Sequence, residues 1–78
     1  MSDDRGLDCR GLVCPLPVLR ARKALMAMAP GAVLTLLATD AAAMLDVPAF
    51  CQSAGHALLA TEEAGGVLTF TIRRAGQG

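Results

Sequence analysis

A chain of 78 residues, 54% hydrophobic and without Trp or Tyr, makes one small domain over residues 1–78 with room for a single core. Seven basic and seven acidic side chains cancel, which excludes the broad positive field that non-specific nucleic-acid or membrane binding needs. Cys9, Cys14 and Cys51 are odd in number and hold no C-x-x-C pair, so no disulfide framework is expected and a reducing compartment is.

In chain order, Met1-Ser2-Asp3-Asp4-Arg5 has no basic region followed by an apolar one, so no secretory signal is expected. Leu7-Asp8-Cys9 is a brief strand. Pro15 to about Met28 reads as a helix, with Val18, Ala21, Leu25 and Met28 on one face, Arg20 and Lys23 away from it, and Pro30-Gly31 as the stop. The apolar run Ala24–Ala38 is broken by Pro30-Gly31 and falls short of the roughly 20 residues that cross a bilayer. A soluble, cytoplasmic chain is expected.

Val33 to Thr39 has the composition of a buried strand. A second helix is predicted from Asp46 as N-cap, with Val47, Phe50, Cys51 and Ala54 at i, i+3, i+4 and i+7. Leu45 is placed to staple onto Phe50, Pro48 falls in the first turn, and Gly55 suits the position just past the end. His56 to about Glu62 and Val67 to Arg73 then form a hairpin around Glu63-Ala64-Gly65-Gly66. In the last strand Leu68, Phe70 and Ile72 share one face. The order is βαβαββ. Right-handed crossovers put both helices on the same face when the strands progress in one direction. The expected fold is an α/β two-layer sandwich, two helices on one face of a four-stranded mixed sheet.

The informative segment is Leu7-Asp8-Cys9-Arg10-Gly11-Leu12-Val13-Cys14-Pro15-Leu16-Pro17. Proline favours the first position of a helix, which makes Pro15 the start and Cys14 the N-cap. A sulfur there feels the positive end of the helix dipole, which favours the nucleophilic thiolate. Pro15 and Pro17 fix the backbone of the first turn and remove two N–H donors, leaving Leu16 and Val18 to supply the rest. Such a turn aims the sulfur rigidly and grips an anion weakly. Gly11 permits a sharp turn between strand and helix.

This segment resembles the L-D-x-x-G-L-x-C-P-x-P signature of the TusA/SirA-like sulfurtransferases. The similarity continues through Pro30-Gly31, Asp40, Asp46-Val47-Pro48-Ala49-Phe50-Cys51, Gly55-His56 and Ile72-Arg73, over nearly the whole chain. It implies a sulfur carrier with a persulfide on Cys14. The sulfane sulfur would arrive from a cysteine desulfurase or rhodanese and leave to an acceptor protein. The family's fold is the same βαβαββ sandwich. Its members serve tRNA thiolation, molybdenum cofactor assembly and sulfur oxidation. Here Leu16 replaces the Glu found between the prolines of the tRNA-thiolation members, Ala41 stands where Pro is common after Asp40, and Leu45 where a basic residue is common.

The site expected from these considerations is Cys14 as the reacting residue, shaped by Gly11, Pro15, Leu16 and Pro17. Arg10, Arg22 and Lys23, with apolar Leu19 and Met26, mark a mixed strip suited to docking a partner protein. Cys9 and Cys51 are assigned to packing, Cys9 with a resolving role as the alternative. Asp40 and Asp46 are assigned to capping rather than acid–base work. His56 is assigned a structural or exposed position. Too few Cys and His occur at metal-ligand spacing for a zinc site, and no metal or organic cofactor is expected. A monomer with transient hetero-complexes is expected. The competing functions are a regulatory interaction module of the same fold and a selenium-handling variant of the carrier.

Overall fold

A computed structural model describes residues 3–76. Its elements run β1 (Arg5–Cys9), α1 (Leu16–Met26), β2 (Val33–Ala38), α2 (Ala43–Ala54), β3 (Ala57–Ala64) and β4 (Val67–Arg73). The sheet order is β1-β2-β4-β3. β1 pairs parallel to β2, and β4 runs antiparallel to both β2 and β3. The three strands that precede β4 therefore progress in one direction, and β4 fills the gap left between β2 and β3. This is the expected two-layer sandwich.

Alternation explains which face is covered. Leu68, Phe70 and Ile72 of β4 lie opposite Ala38, Leu36 and Leu34 of β2, and all six are buried. Ala21, Leu25 and Met28 from the α1 segment, and Ala43, Val47 and Cys51 from α2, complete the same core. On the other face Thr35 is exposed and Val33 and Leu37 are only partly covered. β2 is thus buried on one side, not both, because a two-layer fold offers nothing to pack on its second face.

Both helix starts differ from expectation. α1 begins at Leu16 with Pro15 in the N-cap position, one residue later than predicted, and Cys14 stands just outside the helix. α1 also ends early, at Met26. There Arg74 Nε donates to the Leu25 carbonyl at 2.6 Å and Arg5 Nη2 donates to the Ala27 carbonyl at 3.2 Å. These cationic donors satisfy the helix's last carbonyls, so the chain leaves before Pro30 forces it to.

α2 begins at Ala43, not after Asp46. Asp40 starts the turn: its backbone carbonyl accepts from Ala43 N at 3.0 Å and its Oδ1 accepts from Ala42 N at 3.0 Å. The run Ala41–Met44 then carries the helix forward with high propensity. Asp46 is therefore a first-turn residue without a capping bond, and Leu45, 79% exposed, makes no staple. Pro48 lies inside the helix, a turn later than expected. At the other end Gly55 takes φ 84° and closes the helix onto the Cys51 carbonyl. Among the described residues no helix is long and apolar enough to cross a membrane.

Candidate functional site

Three chain segments meet at Cys14. From the end of β1 the chain turns at Gly11, which takes φ 83°, a left-handed conformation that glycine adopts without a Cβ penalty. The Gly11 N–H donates to Thr39 Oγ1 at 2.8 Å, tying this turn to the end of β2. Leu16 N donates to the Val13 carbonyl at 2.9 Å, closing a turn around Cys14 and Pro15, whose peptide bond is cis. The Cys14 N–H donates to Asp40 Oδ2 at 2.6 Å, so Asp40 holds the Cys14 loop with one oxygen and the α2 start with the other. Finally, Cys14 Sγ donates to Asp46 Oδ2 at 2.9 Å.

The thiol is exposed and stands at the mouth of a narrow cleft lined by Pro15, Pro17, Val18, Asp40, Ala43 and Asp46. Pro17 is buried against the body of the protein, while Gly11, Pro15 and Leu16 are exposed. The first turn of α1 holds no acidic residue. The carboxylates near the sulfur both come from the β2–α2 side.

These carboxylates reverse the expected electrostatics. The hydrogen bond to Asp46 pushes the Cys14 thiol above its ordinary range, with small additions from desolvation and from the charges of Asp46 and Asp40. The helix dipole acts on a sulfur one residue outside the helix, facing a turn stripped of two N–H groups by proline. An accepting carboxylate in direct contact opposes it. The fold thus adds to this sulfur a carboxylate contact that disfavours the thiolate. Asp40 moves the other way: the N–H groups of Ala42 and Cys14 hold its carboxyl below the usual carboxylate range.

The remaining predicted residues fall as follows. Cys9 and Cys51 are buried, and desolvation pushes both thiols up. Leu19 and Met26 are 50% and 69% exposed along the outer side of α1, with Arg22 between them. Lys23 lies at the edge of this strip and joins Arg5 and Arg20 along a shallow groove beside β1. Arg10 is exposed on the loop before the site. It clasps Asp8 with two bonds, Nε to Oδ1 at 2.9 Å and Nη2 to Oδ2 at 2.8 Å, and holds that carboxyl at about 2. His56 precedes β3, its Nδ1 accepts from Ala75 N at 2.8 Å, and its ring lies 5.7 Å from Phe50.

Sequence reasoning missed Asp46 as a neighbour of the sulfur and Asp40 as the anchor of the Cys14 backbone. The available signal was the helix-forming run Ala41–Met44, which starts α2 upstream of Asp46 and frees its side chain. Apolar Val13 and Leu45, 64% and 79% exposed, also belong to the surface around the site. Among the described residues no three His, Cys, Asp or Glu side chains gather into a metal-holding group.

The profile of the family described as Sulfurtransferase TusA matches residues 5–74. The chain is 45% identical over 76 residues to the sulfur carrier protein TusA of Allochromatium vinosum, covering 96% of this chain and 100% of that one. It is 54% identical over 67 residues to a Neisseria meningitidis serogroup A protein provisionally described as a sulfur carrier, covering 86% and 90% of the two chains. The crystal structure of a SirA-like protein from Desulfitobacterium hafniense superposes with a TM-score of 0.79 at 30% identity, covering 91% of this chain and 97% of that one.

Proposed function

The chain belongs to the Sulfurtransferase TusA family, and from that premise we propose that it relays sulfane sulfur as a persulfide on Cys14. The observation that carries this is the contrast among its thiols: Cys14 is exposed at the head of α1, whereas Cys9 and Cys51 are sealed in the core. A carrier needs a sulfur that two partners reach in turn, and one thiol meets that condition.

The exchange is thiol–sulfane transfer. Cys14 Sγ attacks the outer sulfur of a donor's persulfide, and the donor's cysteine leaves as a thiol. Delivery is the same step in reverse, with Cys14 as the leaving group. No organic cofactor enters this chemistry. The Pro15–Pro17 turn supplies rigidity, and Leu16 forms part of the exposed rim on which partners meet. Donor and acceptor proteins dock along Leu19, Arg22, Lys23 and Met26, where basic and apolar groups alternate in the open. We place the protein in the cytoplasm, where a free thiol stays reduced.

Incubation with a cysteine desulfurase and cysteine, followed by intact mass measurement before and after reduction, tests this proposal. One reducible sulfur on the wild type, located to Cys14, is expected. A protein that binds the desulfurase but takes up no sulfur would instead be an interaction module of the same fold.

A further inference from the structure

We propose that Asp46 is the proton carrier for Cys14 during sulfur transfer, taking the Sγ proton on loading and supplying one to Sγ on delivery. This deepens the persulfide reading above and rests on it. The geometry points to Asp46 because its Oδ2 accepts directly from the reacting sulfur at 2.9 Å. Hydrogen-bond reach of the proton to be moved is the first requirement of a general base.

The charged groups facing the sulfur are few. α1 contributes no acidic residue in its first turn, and Arg10 on the preceding loop is engaged by Asp8. The β2–α2 segment contributes Asp40 and Asp46. Asp40 spends its oxygens on the Cys14 and Ala42 N–H groups, so its place is structural. Asp46 has the sulfur as its partner and is free to exchange a proton with it.

Thiol chemistry explains why a carrier benefits. A thiol of raised pKa is the stronger nucleophile once deprotonated, but little thiolate exists at neutral pH. It is also a poor leaving group, and a carrier must be both attacker and leaving group in turn. A carboxylate in contact with Sγ removes both obstacles. On loading, the Sγ–H bond breaks toward Asp46 Oδ2 as Sγ bonds to the outer sulfur of the donor persulfide. The donor's S–S bond breaks with its electron pair on the donor cysteine, which then receives the proton from Asp46. The sum is Cys14–SH plus R–S–SH giving Cys14–S–SH plus R–SH, with no net oxidation or reduction. On delivery the attacking acceptor thiol gives its proton to Asp46 Oδ2, which passes it to Sγ as the S–S bond of Cys14 breaks; the sum is Cys14–S–SH plus R′–SH giving Cys14–SH plus R′–S–SH. The same contact disfavours the thiolate, the form open to alkylation and oxidation.

Two readouts that respond oppositely test this. Asp46→Asn preserves shape and removes the charge and the basic oxygen; its folding is checked by thermal unfolding. The first readout is the pH dependence of Cys14 alkylation by iodoacetamide, followed by peptide mass. The second is the rate of sulfur uptake from glutathione persulfide, a small donor that needs no docking surface. In Asp46→Asn the alkylation midpoint should move to lower pH and alkylation at pH 7 should quicken, while sulfur uptake should slow on the order of a hundredfold, the scale of a lost general base. An unmoved midpoint overturns the Asp46–Cys14 contact. Uptake that quickens in step with alkylation overturns the proton-carrying role, since Asp46 would then only suppress the thiolate. A wild type that takes up no sulfur overturns the persulfide reading itself, and the alkylation profile still reports the contact separately.

Discussion

The backbone N–H of Cys14 donates to Oδ2 of Asp40 at 2.6 Å, joining residues 26 positions apart, and Oδ1 of the same carboxylate holds Ala42 N at 3.0 Å. One side chain therefore sets both the position of the Cys14 loop and the start of the helix that brings Asp46 to its sulfur. Asp40→Ala should keep the fold, because water reaches these groups, but loosen the Cys14 loop. Hydrogen exchange at the Cys14 amide should quicken by about tenfold or more, as expected when a local structural bond is lost. Asp40→Asn, which keeps an acceptor oxygen, should fall between. Unchanged exchange in Asp40→Ala would mean that the loop is held by its own turns.

Cys14→Ser should abolish sulfur loading while Cys9→Ser and Cys51→Ala retain it. Cys51→Ala removes a small buried side chain and should destabilise by about 1–2 kcal/mol in denaturant titration. Cys9→Ser places a hydroxyl in the core and should cost at least as much. Loss of loading in a folded Cys9→Ser, or a persulfide that becomes longer-lived, would give Cys9 a resolving role.

Pro17→Ala restores an N–H to the second position of α1, beside the cleft that Pro17 lines with Cys14. The added donor and looser turn should hold a persulfide anion more firmly and make it a slower donor, with delivery reduced a few-fold and loading little changed. Single-turnover transfer to an acceptor thiol reads this directly. A delivery rate equal to wild type would reduce the second proline to a helix-start device.

His56 accepts from Ala75 N, and burial, with a smaller push from the Arg74 charge, holds its pKa below the ordinary value of 6.5. The folded state thus binds fewer protons than the unfolded state as pH falls below 6.5 toward the lowered folded value. Stability from this group is present above 6.5 and is lost through that interval. Protonated Nδ1 no longer accepts, so the Ala75 amide should lose protection as pH drops from 7 to 5. In His56→Phe that dependence should vanish. Persistence of the same pH dependence in His56→Phe would place the titrating group elsewhere.

The βαβαββ order, the inward face of β4 and the separation of one exposed thiol from two packed ones are legible in the residues alone. Each is local: alternation marks Leu68, Phe70 and Ile72 as core, glycines mark turns, and the C-P-x-P segment puts Cys14 ahead of a helix. The open second face of β2 was harder to read, because a leucine-rich strand has the same composition whether one or both faces are covered. The carboxylates around the sulfur are set by long-range contacts instead. Asp40 and Asp46 lie 26 and 32 residues beyond Cys14, and each has an ordinary local use as a helix cap. What turned them to the thiol was the start of α2 at Ala43 and the packing of α1 and α2 against one shared core. Charge acts through space, so a carboxylate brought into contact by the fold acts on the sulfur against the helix dipole expected from the sequence.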